Sequence, residues 1–140
     1  MAGYVSIRSS IKAKLDTFST LAFVYNFHQP NLEGYPAATF DVSQTENDFL
    51  TNRDNLRSVA FTIILYQEVI EKNTIQANAI LDAAADQVIA GFEDDYNIGN
   101  AVDWCEPANG PRETITTPQG SSVITQQITL KCFYSSQLNF

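Results

Sequence analysis

The segment from Ser58 to Tyr66 constrains the fold more strongly than any other part of the sequence. Its odd-numbered positions carry only large apolar side chains, and its even-numbered positions mix polar and apolar ones. Successive side chains of a β-strand point to opposite faces, so this alternation predicts one fully buried face and one that is partly covered. Such a strand is typical of the centre of an antiparallel sheet. The predicted buried set is Val59, Phe61, Ile63 and Leu65.

Four further segments have the composition of strands. Residues 22–27 are rich in aromatic and β-branched side chains, and residues 37–42 form the next apolar run. Residues 101–105 form a short candidate strand before the turn-forming run from Pro107 to Pro111. The last strand is predicted over residues 122–134, because apolar residues alternate along it. Its predicted buried face is Ile124, Ile128, Leu130, Cys132 and Tyr134.

Two segments have the three- and four-residue periodicity of amphipathic helices, residues 4–21 and residues 75–93. Arg8, Lys12 and Asp16 fall on the side of the first helix opposite its apolar stripe. For the basic cluster of Arg8, Lys12 and Lys14, a solvated helix face is favoured over a basic patch that touches an acidic partner. The apolar stripe of the first helix is Tyr4, Ile7, Ile11, Leu15 and Phe18. That of the second is Ala77, Ile80, Leu81, Ala84, Val88 and Phe92, with Asn78, Asp82, Asp86 and Glu93 on its polar side.

The order of these segments defines the fold class. Closely spaced strands favour antiparallel pairing, and two helices are too few for a doubly wound sheet. We therefore expect an α+β fold with two helices packed on one face of a mostly antiparallel sheet of about four to five strands. The 140 residues fit a single domain, residues 1–140. Residues 43–57 are predicted to form a long polar loop between the second and third strands.

Composition favours an assembling protein over a nucleic-acid binder. Charged residues make up 17% of the chain, below the roughly 25% of an ordinary soluble domain, which suits surfaces that are buried against other subunits. The formal net charge of −8 argues against binding to a phosphate backbone. There is no apolar run long enough to span a bilayer and no secretory leader, so we expect a soluble protein made in a reducing cytosol.

The residues that carry chemistry are few and scattered. His28 is the single histidine, and no nucleophile motif lies near it, so a loop-packing role is favoured over catalysis. Cys105 and Cys132 are interpreted as buried thiols in preference to a disulfide, and they are too scattered for a zinc site. The run from Glu93 to Asp95 lacks the ligand spacing of a calcium loop. We therefore expect no catalytic residue, no metal and no cofactor.

A resemblance adds a specific hypothesis. The segment from Tyr35 to Asp41, the Thr51-Asn52 loop and the strand from Val59 to Leu65 resemble tail terminator (tail completion) proteins of long-tailed bacteriophages. The helix at the beginning of the sequence, the alanine-rich second helix and the long last strand extend the resemblance over most of the chain. It lies in element order and hydrophobic pattern, and no interface residue is transferred from the family.

The resemblance implies a structural role without bond chemistry. Such subunits close into a ring, commonly a homohexamer, which caps the head-proximal end of the tail tube and ends its polymerisation. The implied partners are the tail tube protein and the head–tail connector or stopper, and the implied location is the neck of the virion, after synthesis in the bacterial cytoplasm. Six copies of an acidic chain would give an acidic lumen, through which DNA passes without specific binding.

Two other functions stay open from the sequence. One is a head–tail stopper or tail-tube subunit, and whether the pure protein forms closed rings or extended tubes distinguishes these structural roles. The other is a small ligand-binding or enzymatic α+β domain with a pocket lined by Trp104 and tyrosines.

Physical reasoning nominates two sets of partner-contacting residues. The predicted polar loop contains both signs of charge and an apolar anchor, which suits a subunit or partner interface. Its candidates are Glu46, Asp48, Phe49, Arg53 and Arg57. The polar side of the second helix is the candidate for an acidic face towards a lumen or partner, with Asp82, Asp86 and Glu93.

Overall fold

A computed structural model describes residues 4–28, 32–49, 54–118 and 120–137. Two helices and five strands follow one another along the chain. They are α1 (Tyr4–Asp16), β1 (Phe23–Tyr25), β2 (Ala37–Phe49), β3 (Asp54–Glu68), α2 (Thr74–Asp94), β4 (Trp104–Thr116) and β5 (Ser122–Gln137). Among these described residues, no helix is both long and apolar enough to cross a membrane.

The strands form a single sheet in the order β1-β2-β3-β5-β4, with β3 at its centre. All neighbours pair antiparallel except β1 and β2, which run parallel. The predicted α+β class is therefore confirmed, with five strands. The predicted first strand is shorter than expected, because β1 covers only Phe23–Tyr25 and pairs with residues 37–39 of β2.

The inner face of the sheet, which we define as the face covered by the helices, contains the main core. The alternation in β3 is confirmed, since Val59, Phe61, Ile63 and Leu65 have no exposed surface. The predicted apolar face of β5 joins the same core, as do Ile7, Ile11, Leu15 and Phe18 and most of the predicted stripe of α2. The side chain of Tyr4 lies outside the described part of the chain. One assignment is wrong in detail, because Ala85 takes a buried position on α2 while Ile80 is only half-buried.

The outer face, opposite the helices, is covered only in part. The segment that follows α1 lies against one end of this face and forms a second, smaller apolar cluster. That cluster comprises Ala37, Tyr66 and Val123, with Phe23, Tyr25, Leu32, Tyr35 and Ile64 packed against it. Antiparallel sheets tolerate one solvated face, so this arrangement is stable in an isolated subunit.

The predicted loop over residues 43–57 is wrong, because most of it is strand. β2 continues to Phe49 and β3 begins at Asp54, with a register shift between Val42 and Gln44. Backbone hydrogen bonds between adjacent strands hold polar residues in a sheet as well as apolar ones, so β-propensity alone misjudged this segment. The hairpin connection itself, including Arg53, lies outside the described residues.

The predicted strand over residues 101–105 and the predicted turn after it are also wrong. β4 begins at Trp104 and runs through Pro107 and Pro111 to Thr116. Proline is tolerated there because β4 is an edge strand, and a register shift between Asn109 and Arg112 accommodates the second proline. Gly110 lies within this irregularity, where a Cβ atom would come 3.2 Å from the Cβ of Gln127.

The helix boundaries are largely as predicted. α1 ends at Asp16 and not at residue 21, since the chain turns back through hydrogen bonds from Thr17 N to Lys14 O (3.0 Å) and from Phe18 N to Leu15 O (3.1 Å). α2 begins one residue earlier than predicted, and its N-cap Asn73 accepts a hydrogen bond from Gln76 N at 3.0 Å.

Candidate assembly surfaces

An aromatic pair lies on the outer face at the edge formed by β4. Trp104 is 39% exposed and stacks on Phe133, with ring centroids 4.7 Å apart and an angle of 15° between the ring planes. The two residues are cross-strand partners in β4 and β5, so the sheet itself sets their contact. Exposed tryptophan that is held rigidly by a neighbour is a residue type enriched at protein interfaces.

Two side chains of opposite charge, Glu106 and Lys131, form the next cross-strand pair on the same face of β4 and β5. Lys131 places its ammonium 5.2 Å from the centre of the Phe133 ring and is the cross-strand partner of Glu106. We call Trp104, Glu106, Lys131 and Phe133 the outer-face patch. It combines an aromatic anchor with a charge of each sign, a combination that can bind a partner through both apolar contact and hydrogen bonds.

Three candidate residues of the predicted loop, Asp48, Phe49 and Arg57, lie in a three-stranded extension of the sheet. The pairing of β4 with β5 begins at Trp104 and Phe133, so residues 47–49, 54–57 and 134–137 extend beyond that pair. Asp48 pairs with Leu56 and Phe49 with Asn55, while Glu46 pairs with Ser58 just before the extension. The side chains of Glu46, Asp48 and Phe49 lie outside the described part of the chain.

Arg57 is the one member of that set with a described side chain. It is half-buried in β3, with Asn47 of β2 on one side and Tyr134 of β5 on the other. The structure therefore brings Arg57 to the same end of the sheet as Asp48 and Phe49, on paired strands and not on a loop. Their role in an interface stays a prediction.

The acidic candidates lie on the solvent side of α2. Asp86 and Glu93 are exposed, as their spacing predicts. Asp82 is also exposed but forms an ion pair with Arg112 of β4, at 2.8 Å. The same guanidinium donates to Asn78 Oδ1 at 3.0 Å and to Gln126 Oε1 at 2.8 Å. Asp82 therefore belongs to a contact that holds β4 against α2, in addition to its place on the acidic side.

A contact between Arg8 of α1 and Asp41 of β2, which the sequence analysis missed, lies at the edge of β2 that β1 leaves unpaired. We call it the Arg8–Asp41 clamp. Arg8 donates to Asp41 Oδ1 and to the carbonyl oxygen of Asn26, both at 2.7 Å, and its guanidinium lies 4.3 Å from the centre of the Phe27 ring. The Arg8 hydrogen bond is the main reason why the pKa of Asp41 is lowered. Asp41 also accepts from Val42 N at 2.8 Å.

The prediction that Arg8 lies on a solvated helix face is therefore wrong. Its side chain is only 18% exposed, because α1 packs close to the edge that β1 leaves uncovered. The signal available in the sequence was Asp41, the one carboxylate in the mostly apolar run of residues 37–42, because a partly buried carboxylate requires a cationic or hydrogen-bonding partner.

His28 takes part in a short polar chain on the outer side of β2. Its Nδ1 atom lies 2.7 Å from Thr39 Oγ1, which lies 3.1 Å from the Tyr66 hydroxyl. Burial lowers the pKa of His28, and the nearby Asp41 opposes that effect. The hydroxyl that contacts the histidine belongs to Thr39, which has no exposed surface, so this pair holds His28 against β2 and does not offer the Thr39 hydroxyl to a substrate.

The structure separates some of the aromatic residues that the sequence nominates for a ligand-binding pocket. Trp104 lies in β4, at one edge of the sheet, whereas Tyr25 lies in β1 at the opposite edge. Tyr66 of β3 pairs with Thr125, far along β5 from the partner of Trp104. Trp104 therefore lies apart from Tyr25 and Tyr66. Tyr96 lines a different cavity, with Glu93 of α2 and residues 105–107 of β4, so a ligand-binding role stays an untested alternative.

Both cysteines are free and buried, as predicted. They are direct cross-strand partners in β4 and β5 on the inner face. Burial raises the pKa of Cys105 to about 11 and raises that of Cys132 further, so neither thiol is an activated nucleophile. In the part of the chain that the structure describes, no three His, Cys, Asp or Glu side chains come together as a metal site.

Neither the protein-family models nor the curated proteins compared with this chain match it. Function is therefore argued from the surfaces themselves and from the resemblance in element order.

Proposed function

We propose that this chain is a structural subunit that works by self-association, and that it forms the closed ring of a phage tail terminator. The ring would cap the head-proximal end of a tail tube and join the tube to the head connector. The first half of the proposal rests on the surfaces of the subunit. The second half rests on the resemblance in element order and hydrophobic pattern.

The outer-face patch is the observation that carries self-association. Trp104 and Phe133 keep a flat aromatic surface in contact with solvent although the inner face has a complete apolar core. Burial of such a surface against another subunit contributes free energy that the isolated subunit does not gain. The aromatic stack is already ordered, so association would cost little side-chain entropy at this point.

Charge supports the specific form of the assembly. Asp86 and Glu93 lie exposed on one helix of a chain with net charge −8. Turned towards a ring lumen, that side of α2 would repel the DNA backbone and let a genome pass without adhering. A ring also requires two different surfaces on each subunit, and the outer-face patch and the three-stranded extension are distinct regions that can meet between neighbours.

The mass of the native assembly at several concentrations tests the proposal. We expect a fixed oligomer near six subunits and closed rings in negative-stain images. Trp104→Ala should shift the assembly to smaller species, because it removes the exposed half of the aromatic stack. Tyr96→Ala is the matched control, since Tyr96 is an aromatic residue that is 57% exposed outside the sheet.

A monomer at every concentration would overturn self-association. Extended tubes would support a tail-tube subunit in place of a terminator. In a phage that encodes this chain, particles without it should have tails of uncontrolled length, and normal tails joined to heads would contradict the terminator role.

A further inference from the structure

A small cavity lies between the end of β3 and the beginning of α2. Its volume is about 40 Å³, and the N-cap residue Asn73 lies on its wall. The side chain of Gln67 belongs to the inner face and reaches the same cavity. The residues that line it include Gln67, Ile70, Asn73, Gln76, Ala77 and Ile80.

Gln67 has a buried acceptor without a protein donor. The side chain is 6% exposed, and its Nε2 atom donates to the carbonyl oxygen of Glu68 at 3.1 Å. The Oε1 atom is buried and has no hydrogen-bond partner among the residues that the structure describes. Turning the amide over would set two oxygen atoms against each other, so the contact with Glu68 fixes its orientation. Buried acceptors of this kind are nearly always satisfied in folded proteins.

The surroundings of Gln67 Oε1 indicate which kind of molecule can donate a hydrogen bond to it. An anion cannot donate to Gln67 Oε1, and the positive end of the α2 dipole disfavours a cation. Glu68 also lines the cavity. β-strand alternation directs its side chain to the opposite face of β3 from that of Gln67, so its carboxylate is not placed beside Gln67 Oε1. A small neutral molecule that donates and accepts hydrogen bonds satisfies each of these conditions.

We propose that this cavity is a binding site for ordered water, which donates to Gln67 Oε1 and links β3 to the N-terminus of α2. The volume exceeds the roughly 10–15 Å³ that one water needs. The amides of Asn73 and Gln76 on the wall supply further polar partners. Two amides of the intervening turn are engaged within the turn, since Asn73 N donates to Ile70 O at 2.9 Å and Thr74 N to Lys72 O at 3.1 Å.

Magnetisation transfer from water in NMR spectra tests the site directly. We expect cross-peaks between a long-lived water and both the Ala77 methyl group and the Gln67 side-chain amide. Gln67→Leu should remove the cross-peak to Ala77. Absence of these cross-peaks in the unmodified protein, or their persistence at Ala77 in Gln67→Leu, would overturn the proposal.

Gln126 provides a matched control for the substitution. It is also a glutamine that is 6% exposed in the sheet, but its Nε2 donates to Gly110 O and Gln127 O, and its Oε1 accepts from Arg112. Gln126→Leu should therefore lower the melting temperature by several degrees, about 4 °C or more, and keep the water cross-peaks. Gln67→Leu should change it by less than about 2 °C.

Gln67→Met distinguishes loss of the amide group from a change in side-chain shape, because methionine is unbranched like glutamine but has no amide. It should behave as Gln67→Leu does. If both variants at this position melt as early as Gln126→Leu, then Gln67 Oε1 has a protein donor and the proposal fails. The inference rests on the cavity alone and does not depend on the proposed assembly.

Discussion

The two faces of the β3–β5 pair carry the same kinds of residue in different surroundings. Phe61 of β3 is fully buried on the inner face, where α1 and α2 close the core, and Phe133 of β5 is half-buried on the outer face under Trp104. Burial on the inner face stabilises the subunit itself. The outer face keeps apolar surface that only another molecule can bury, so one pair of strands supplies both the fold and its candidate interface.

The register of the sheet decides which residues serve which purpose. A shift of one residue in β3 would exchange its buried and exposed sets. A register shift of this kind occurs in β2, between Val42 and Gln44. It lies where β2 leaves the body of the sheet and enters the three-stranded extension. The two faces are therefore best compared by substitutions of the same residue type at positions of known burial.

The largest expected effect is that of Phe61→Ala. It removes a ring that has no exposed surface and packs near Phe40, with centroids 6.2 Å apart. We expect the free energy of unfolding to fall by about 3–5 kcal/mol, measured by urea denaturation. Phe133→Ala is the matched control and should cost less than half as much. Equal losses for the two variants would show that the faces do not differ as described.

An intermediate effect is expected at the edge between α2 and β4. Arg112→Met keeps the apolar stem but removes hydrogen bonds to Asp82, Asn78 and Gln126. Because Gln126 Oε1 is thereby left without its donor, we expect a loss of about 1–2 kcal/mol in the same denaturation experiment. Asp82→Asn should cost less than about 0.5 kcal/mol, since that side chain is 68% exposed. A larger loss for Asp82→Asn than for Arg112→Met would contradict this contact scheme.

The smallest effect is a dependence of stability on pH at the β2 edge. The Arg8 hydrogen bond lowers the pKa of Asp41 in the folded state, so the carboxylate stabilises the fold above its unfolded pKa. That contribution is lost as the pH falls through the folded value. Asp41 is 37% exposed, which limits the contribution to less than about 1 kcal/mol. Asp41→Asn should therefore flatten the fall in stability between about pH 5 and pH 2.

Asp16→Asn is the control for that measurement. Asp16 forms an ion pair with Lys12 one helical turn away, and its side chain is 49% exposed. Solvent screens such a pair, so this variant should keep nearly the pH profile of the unmodified protein. Identical profiles for the two variants would mean that the Arg8–Asp41 clamp does not stabilise the edge.

Part of the candidate surface could be predicted and part could not. The exposed acidic side of α2 follows from helical periodicity. Asp82 and Asp86 are about one turn apart along the helix, and both lie on the side facing away from the buried stripe. The Trp104–Phe133 stack could not be predicted, because it depends on the register in which β4 pairs with β5 across residues 117–121. The prolines of β4 make that segment look like a turn in the sequence, so neither the strand nor its register is evident there. The same holds for Arg8 and Asp41, whose contact depends on how α1 lies against the edge of β2.

By itself, the sequence determined the class of the fold, the central strand and the buried stripes of both helices. Large apolar residues at a period of 2 or 3.6 leave few ways of removing them from water, so local pattern is enough. Only the tertiary structure decided that residues 43–49 and 54–57 are strand, that β4 tolerates two prolines, and which polar side chains meet. Those features depend on backbone hydrogen bonds, sheet edges and neighbours distant along the chain, and such interactions impose no period on a sequence.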